Sequence, residues 1–275
     1  MRYSICLCYD GAEFCGWQIQ PSAPSVQQCL EGALSRLLNR PVSVTGAGRT
    51  DTAVNAANYV AHFDLDGELP FGQDDLCYKL NAILPHSVAV FSVTPVPEDF
   101  HARYSAKLRE YTYFIHRTKD PFVRSYSWLC GYPNLDFEAM NAACHHLLGT
   151  HDFSCFEKTG TDTKTSICTV YEAFWKPYTP SHILVMEPEA WEGRGPQVRR
   201  VSGVVSASGD NYWYFRVSAD RFLRNMVRAI VGSLIEVGRG KQSPEWIAEL
   251  IASGTRGDAG ESVPGHALFL SKVLY

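Results

Sequence analysis

Residues 44–57 read VTGAGRTDTAVNAA and connect two segments rich in strand-forming residues, at 42–45 and 58–64. The two glycines inside this stretch permit positive φ and a close approach of the backbone. The pattern therefore predicts two strands joined by a tight, exposed turn that presents Arg49 and Asp51.

Residue types alone leave the role of this turn open. A Gly46-x-Gly48 pair occurs in dinucleotide-binding loops, but that motif requires a third glycine where Asp51 stands, and a carboxylate would repel a pyrophosphate. In a structural interpretation, Asp51 caps the turn and Arg49 pairs with it at the surface. In a catalytic interpretation, the turn exposes both side chains to a substrate.

Outward from the turn, hydrophobic patterning predicts a mixture of strands and helices. A strand at 3–9 precedes a helix that starts at Ser25 and ends before Pro41. A short helix at 74–83 then leads to a strand at 87–93.

A second round of similar order begins at Tyr111. Predicted strands lie at 111–116, 168–175, 212–218 and 267–274, and predicted helices start at Asp136, at about 220 (ending near 236) and at Ser243. We therefore predict an α+β fold of two related α/β units, 1–105 and 106–275, that share a mainly antiparallel sheet with a central cleft. An insertion at about 176–210 is expected to form an exposed loop or hairpin.

Composition excludes several classes of protein. With 275 residues, 45% of them hydrophobic, and a net charge of -4, the chain is not coated in positive charge, although a local basic cleft remains compatible with these values. No apolar run approaches the roughly 20 residues that cross a bilayer, so we expect a cytoplasmic protein without a membrane partner. The nine cysteines, an odd number without zinc-ligand spacing, predict reduced thiols and no metal.

The motif GAGRTD resembles that of the TruA family of tRNA pseudouridine synthases. Further motifs of that family follow in its order, namely YDG at 9–11, GWQ at 16–18, SVQ at 25–27, Asn81, LP at 84–85, FHAR at 100–103, RxYxY at 109–113 and FLRNMVR at 222–228. Because the motifs span nearly the whole chain, chance is a poor explanation for the resemblance.

The resemblance implies a fold and an activity. It implies the pseudouridine synthase fold, with a central RNA-binding cleft, and isomerisation of uridine to pseudouridine at positions 38, 39 and 40 in the anticodon stem-loop of tRNA. It further implies that the chain needs no cofactor and works on tRNA as a homodimer.

The resemblance also assigns roles to individual residues. Asp51 is the implied catalytic nucleophile, and Arg49 is implied to occupy the space that the flipped nucleotide leaves. Tyr111 is implied to stack on the uracil and Leu268 to form an apolar wall beneath the base. Arg228 ends FLRNMVR on a predicted helix where Met226 and Ile230 share the buried side, so it needs a partner for its charge, and we expect Asp51 to be that partner. As alternatives, Tyr111 and Leu268 are ordinary core residues.

Charged residues near the FHAR and RxYxY motifs are candidates for binding the substrate. His101, Arg103, Lys107 and Arg109 either line the RNA-binding cleft or are solvated surface groups. Tyr113 is interpreted as a core aromatic residue.

Where the family usually reads RTDAGVHA, this chain reads RTDTAVNA, and the two departures expected to matter for the turn are Ala53 and Asn55, in place of glycine and histidine. The segment 176–210 is also longer than the corresponding connection in the family. Two rival functions are a non-catalytic tRNA-binding module and an RNA modifier with a cysteine nucleophile. The carboxylate at Asp51 argues against the first, and the lack of a cysteine in a Gly-rich or Pro-Cys turn argues against the second.

Overall fold

The computed structural model describes residues 1–161, 163–185 and 211–275. The chain divides into two compact units. The first consists of Met1–Tyr111 and Phe269–Tyr275, and the second of Thr112–Leu268.

The first unit is built on antiparallel strands with two helices. Its elements are β1 (Arg2–Tyr9), α1 (Val26–Leu38), β2 (Val44–Gly46), β3 (Asn55–Asp64), α2 (Gln73–Ile83), β4 (Val88–Val96) and, from Phe269 onward, β10 (Leu268–Leu274). Strand β1 lies between β4 and β3 and is antiparallel to both, and β2 pairs with β3. The C-terminal strand β10 pairs with β3 in parallel.

Sequence periodicity explains why these segments take these forms. Strand β1 alternates between half-buried and buried residues, as a strand with one face on the core requires. Helix α1 buries one apolar stripe, and its N-cap Ser25 accepts a hydrogen bond from the Gln28 amide at 3.2 Å. Asn39, with a φ of 51°, ends the helix in the left-handed conformation.

The second unit combines short strands with a central helix. The elements are β5 (Leu108–His116), which enters from the first unit, β6 (Trp128–Leu129), α3 (Phe137–Cys144), β7 (Gly149–Asp152), β8 (Ile167–Pro177), α4 (Ser181–Val185), β9 (Tyr212–Ala219), α5 (Met226–Gly238) and α6 (Trp246–Ser253). Strand β8 is antiparallel to both β7 and β9, while β6 pairs with β5 in parallel.

Helix α5 is the buried centre of the second unit, since almost all of its side chains are shielded from water. It contacts α3, which also contacts β8. The segment that precedes β10 comes close to α5 at Gly232, where a Cβ atom would overlap the carbonyl oxygen of Glu261. The glycine therefore allows this segment to lie directly on the helix.

Several predicted boundaries differ from those in the structure. Helix α5 begins at Met226 rather than near 220, because Asn225 has a φ of 66° that no α-helix accommodates. Helix α6 begins at Trp246 rather than beside Ser243, whose carbonyl accepts a hydrogen bond from the Trp246 amide in a tight turn. The strands β6 and β7 were not predicted.

The predicted second unit, 106–275, differs from the observed one, Thr112–Leu268, at both of its ends. The first unit extends to Tyr111 instead of 105, and the last strand belongs to it because β10 pairs with β3. Of the predicted insertion at 176–210, the first two residues continue β8 and Ser181–Val185 forms α4. Its remainder from 186 to 210 lies outside the described residues.

The predicted α+β class, with mainly antiparallel strand pairing, is confirmed. Within the described ranges, no helix has the length and apolar character needed to span a membrane. In the same ranges, the acidic, histidine and cysteine side chains form no group that could bind a metal ion.

Candidate active site

The turn between β2 and β3 carries Arg49 and Asp51, as predicted. The Val54 amide donates to the Asp51 carbonyl at 3.2 Å, which closes a four-residue turn directly after the carboxylate. Arg49 is exposed, Asp51 is half-buried, and Thr50 between them is buried. The turn therefore alternates between a residue held inward and residues presented outward.

Two tyrosine hydroxyls hold the inward-facing residues of the turn. The Tyr59 hydroxyl donates to the carbonyl of Gly48, and the Gly48 amide donates back to the Tyr59 oxygen at 3.3 Å. The hydroxyls of Tyr9 and Thr50 are hydrogen-bonded at 3.0 Å in a buried position. Burial raises the pKa of both tyrosines well above the ordinary value, so both hydroxyls keep their protons.

Aromatic packing fixes the positions of these hydroxyls. The rings of Trp17 and Tyr59 stack with centroids 4.1 Å apart, and the Tyr9 ring lies 5.6 Å from that of Tyr59. A Cβ atom at Gly46 would overlap both Trp17 and Tyr59. The glycine is therefore required for the turn to lie against the aromatic rings.

The segment 10–17 supports the turn from another side. Gly16 has a φ of 92°, and a Cβ atom there would overlap the carbonyl oxygen of Thr50. The buried side chain of Asn55 accepts a hydrogen bond from the Gly11 amide at 2.8 Å. Asn55, one of the two departures from the family sequence, thus anchors the neighbouring segment through its amide oxygen.

Ala53 is the second departure, and its backbone is strained. It has a φ of 63°, in the left-handed region that favours the glycine usual in the family. The Ala53 amide donates to the Phe14 carbonyl at 3.2 Å, and this bond helps to hold the residue in that conformation. The alanine therefore keeps the turn in the form a glycine would take, at a cost in stability.

Arg109 binds the backbone of the turn instead of extending into solvent. Its Nη2 atom donates to the carbonyl of Ala47 at 2.9 Å and to that of Arg103 at 2.6 Å. The side chain is half-buried, and burial lowers the pKa of its guanidinium. One nitrogen thus connects the GAGRTD turn to the loop that carries the FHAR motif.

The two tyrosines of the RxYxY motif have different environments. Tyr111 is partly buried against the core of the first unit. Burial raises its pKa to about 12, with Arg109 opposing this shift and the charge of Asp51 adding to it, so Tyr111 lies within electrostatic range of the carboxylate. Tyr113 is fully buried and donates to the Pro264 carbonyl at 3.0 Å, which is consistent with a core role.

The loop at 101–105 holds His101 and Arg103 of the predicted binding residues. His101 accepts hydrogen bonds through Nδ1 from the amides of Arg103 and Tyr104, at 3.1 and 3.3 Å. His62, which sequence analysis missed, accepts from the Ala102 amide at 3.1 Å. Burial lowers the pKa of His62 to about 4, so it remains a neutral acceptor.

The second unit contributes Arg228 and Leu268. Arg228 lies on α5, and its Nε atom donates to the carbonyl of Val263 at 2.6 Å, while the Val263 amide donates to the Arg228 carbonyl at 3.3 Å. Leu268 is buried at the start of β10. The segment that precedes β10 thus fixes the direction of the Arg228 side chain within this unit.

Seven of the residues predicted as catalytic or substrate-binding lie in the first unit, and two lie in the second. Those in the first unit are Arg49, Asp51, His101, Arg103, Lys107, Arg109 and Tyr111, and those in the second are Arg228 and Leu268. The supporting residues Tyr59 and His62 were missed, because each lies in a strand whose pattern reports only burial. Tyr9 belongs to a quoted motif, but nothing in the sequence pointed to its bond with Thr50.

The strain at Ala53 predicts a stabilising substitution. Ala53→Gly should raise the free energy of unfolding by about 1 kcal/mol, because it removes the left-handed penalty of an L-residue. Urea unfolding of both proteins measures the difference. Ala56→Gly, in the adjoining strand at a residue without positive φ, should instead lower the stability, and equal or lower stability of Ala53→Gly would contradict the strain.

Comparisons with known proteins identify the family of this site. A family model described as tRNA pseudouridine synthase matches residues 5–105 and 143–275, which include the GAGRTD turn and α5. The chain is 43% identical to the tRNA pseudouridine synthase A of Bacteroides fragilis, over 100% of this chain and 96% of that protein.

Further relatives agree over the full length. The tRNA pseudouridine synthase A of Bacteroides thetaiotaomicron is 44% identical over 100% of this chain and 90% of its own. That of Exiguobacterium sp. is 35% identical over 100% of this chain and 98% of its own. The match of the family model and these identities confirm the resemblance, and the chain belongs to the tRNA pseudouridine synthase family.

Proposed function

We propose that this enzyme isomerises uridine to pseudouridine at positions 38, 39 and 40 in the anticodon stem-loop of tRNA, with Asp51 as its nucleophile. The observation that carries this proposal is the half-buried Asp51 carboxylate on a turn whose flanking residues are fixed by hydrogen bonds. Positioned groups of this kind are typical of nucleophilic catalysis.

The reaction requires a carboxylate but no redox partner. The bond from N1 to C1′ breaks, the base turns over, and a bond from C5 to C1′ forms, while C5 loses a proton and N1 gains one. Asp51 attacks either C1′ or the base, or assists formation of a glycal, and all three routes use the same positioned carboxylate. Electrons and atoms balance without a cofactor.

The neighbours of Asp51 fit the remaining steps. Arg49 is exposed two residues before the carboxylate, and we propose that its side chain fills the space left when the uridine leaves its stack. Tyr111, which shares the first unit with Asp51, offers a ring to stack on the uracil. Leu268 is proposed as the apolar wall. The resemblance also supports a homodimer that works in the cytoplasm.

The direct test is incubation of the purified protein with unmodified tRNA and no added cofactor, followed by mapping of pseudouridine. We expect modification at positions 38 to 40. Asp51→Asn should abolish it while retaining the fold and tRNA affinity, because an amide is a poor nucleophile. Asp66→Asn, which alters an exposed acid of the same unit, should leave the rate unchanged.

This experiment also separates the enzyme from its main rival. A non-catalytic tRNA-binding module would bind tRNA without forming pseudouridine, so no pseudouridine would be detected in tRNA incubated with the wild-type protein. Normal turnover by Asp51→Asn would overturn the assignment of the nucleophile.

We further propose that Arg228 pairs with Asp51 and aims it at the substrate. The support is the position of Arg228 in the FLRNMVR motif and its Nε bond to Val263, which restrains the guanidinium. Arginine differs from lysine here because its planar fork binds a carboxylate with two parallel hydrogen bonds.

Arg228→Ala should therefore lose most of the single-turnover rate, and Arg228→Lys should recover only part of it, while both variants bind tRNA as the wild type does. Arg239→Ala provides the control, since Arg239 follows the same helix and pairs with the local Glu236 at 2.7 Å. A wild-type rate in Arg228→Ala would show that this arginine is not the partner of Asp51.

A further inference from the structure

The loop at 101–105 displays an aromatic side chain that none of the proposed catalytic steps uses. Tyr104 is 76% exposed, so most of its apolar ring is in contact with water. Its backbone amide donates to His101 at 3.3 Å. The ring is thus exposed to solvent on a loop whose backbone is held in place.

Hydrogen bonds from three distant parts of the chain hold this loop. Its backbone at Ala102 is bound on both sides, since the amide donates to His62 at 3.1 Å and the carbonyl accepts from the Tyr275 hydroxyl at 2.8 Å. The carbonyl of Arg103 accepts from Arg109 at 2.6 Å. Little conformational entropy is left to lose when a ligand settles on such a loop.

The neighbours of Tyr104 are cationic and aromatic. The ring of His101 lies 4.3 Å from that of Tyr104, tilted by 38°, and the guanidinium carbon of Arg103 lies 5.7 Å from its centroid. Aromatic rings beside arginine are the usual means by which proteins bind unpaired nucleotides, since the ring stacks on the base and the cation binds the phosphate.

We propose that Tyr104 is a stacking platform for an unpaired tRNA base other than the target uridine, with Arg103 on an adjoining phosphate. This inference rests on the proposed function, because it takes tRNA as the substrate. Arg109 connects the platform loop to the catalytic turn within the first unit, through its bonds to Arg103 and Ala47. A base on Tyr104 would therefore fix the RNA relative to Asp51.

Tyr78 supplies a matched control. Its side chain is also 76% exposed and belongs to the same unit, on α2. In the described part of the chain no cation or second ring lies against it. Removal of the Tyr78 ring therefore reports what the loss of any exposed tyrosine does.

The test compares the tRNA affinity of full-length variants by direct binding. Tyr104→Ala should raise Kd for unmodified tRNA about tenfold, as expected for one base-stacking contact, whereas Tyr104→Phe stays close to the wild type. Tyr78→Ala should bind as the wild type does.

Salt dependence distinguishes stacking from charge. Arg103→Gln should lower the slope of log affinity against log salt by about one, as one lost phosphate contact does, and Tyr104→Ala should leave that slope unchanged. Wild-type affinity in Tyr104→Ala, or an equal loss in Tyr78→Ala, would overturn the platform. A wild-type protein that forms no pseudouridine would instead reject the proposed function, while a Tyr104-dependent tRNA affinity would still stand.

Discussion

The hydrogen bonds from Tyr9 and Tyr59 to the GAGRTD turn are the constraint on which the site depends. Tyr59 binds Gly48 and Tyr9 binds Thr50, so alternate residues of the turn are tied to the aromatic core while Arg49 and Asp51 remain outside it. Removing one of these hydroxyls leaves a buried polar partner unsatisfied, which typically costs about 1–3 kcal/mol. Because the aromatic rings are fixed by packing in the core, their hydroxyls hold the turn, and with it the carboxylate, in one position.

Position matters here because the proposed chemistry depends on a carboxylate held in line with its substrate. An isomerisation without cofactor or metal relies on holding a nucleophile and a base in the geometry of reaction. Arg109 extends this principle beyond the turn, since one of its nitrogens binds the backbone of both the turn and the loop at 101–105. The groups proposed to bind RNA and the group proposed to react with it therefore share one support.

Much of this could be predicted from the sequence, and the remainder has a physical reason. Periodicity located β1, α1 and α3 because burial repeats along a strand or helix, and the GAGRTD motif located Asp51 because it is local. The features that were not predicted join residues distant in the chain. They are the hydrogen bond between Tyr9 and Thr50, the pairing of β10 with β3, and the hydrogen bond between His62 and Ala102. Helix α5 starts later than predicted because Asn225 has a left-handed backbone conformation. The sequence pattern does not predict the φ angle of a polar residue within a helical stretch.

The most direct measurement is the single-turnover rate of pseudouridine formation in the double variant Tyr9→Phe with Tyr59→Phe. Both rings remain to fill the core, so the double variant should still fold and retain tRNA affinity, although the unsatisfied partners lower its thermal midpoint. If the hydroxyls position Asp51, the rate should fall at least about tenfold, the effect of about 1.4 kcal/mol on a barrier. A wild-type rate in a folded double variant would contradict this view of the site.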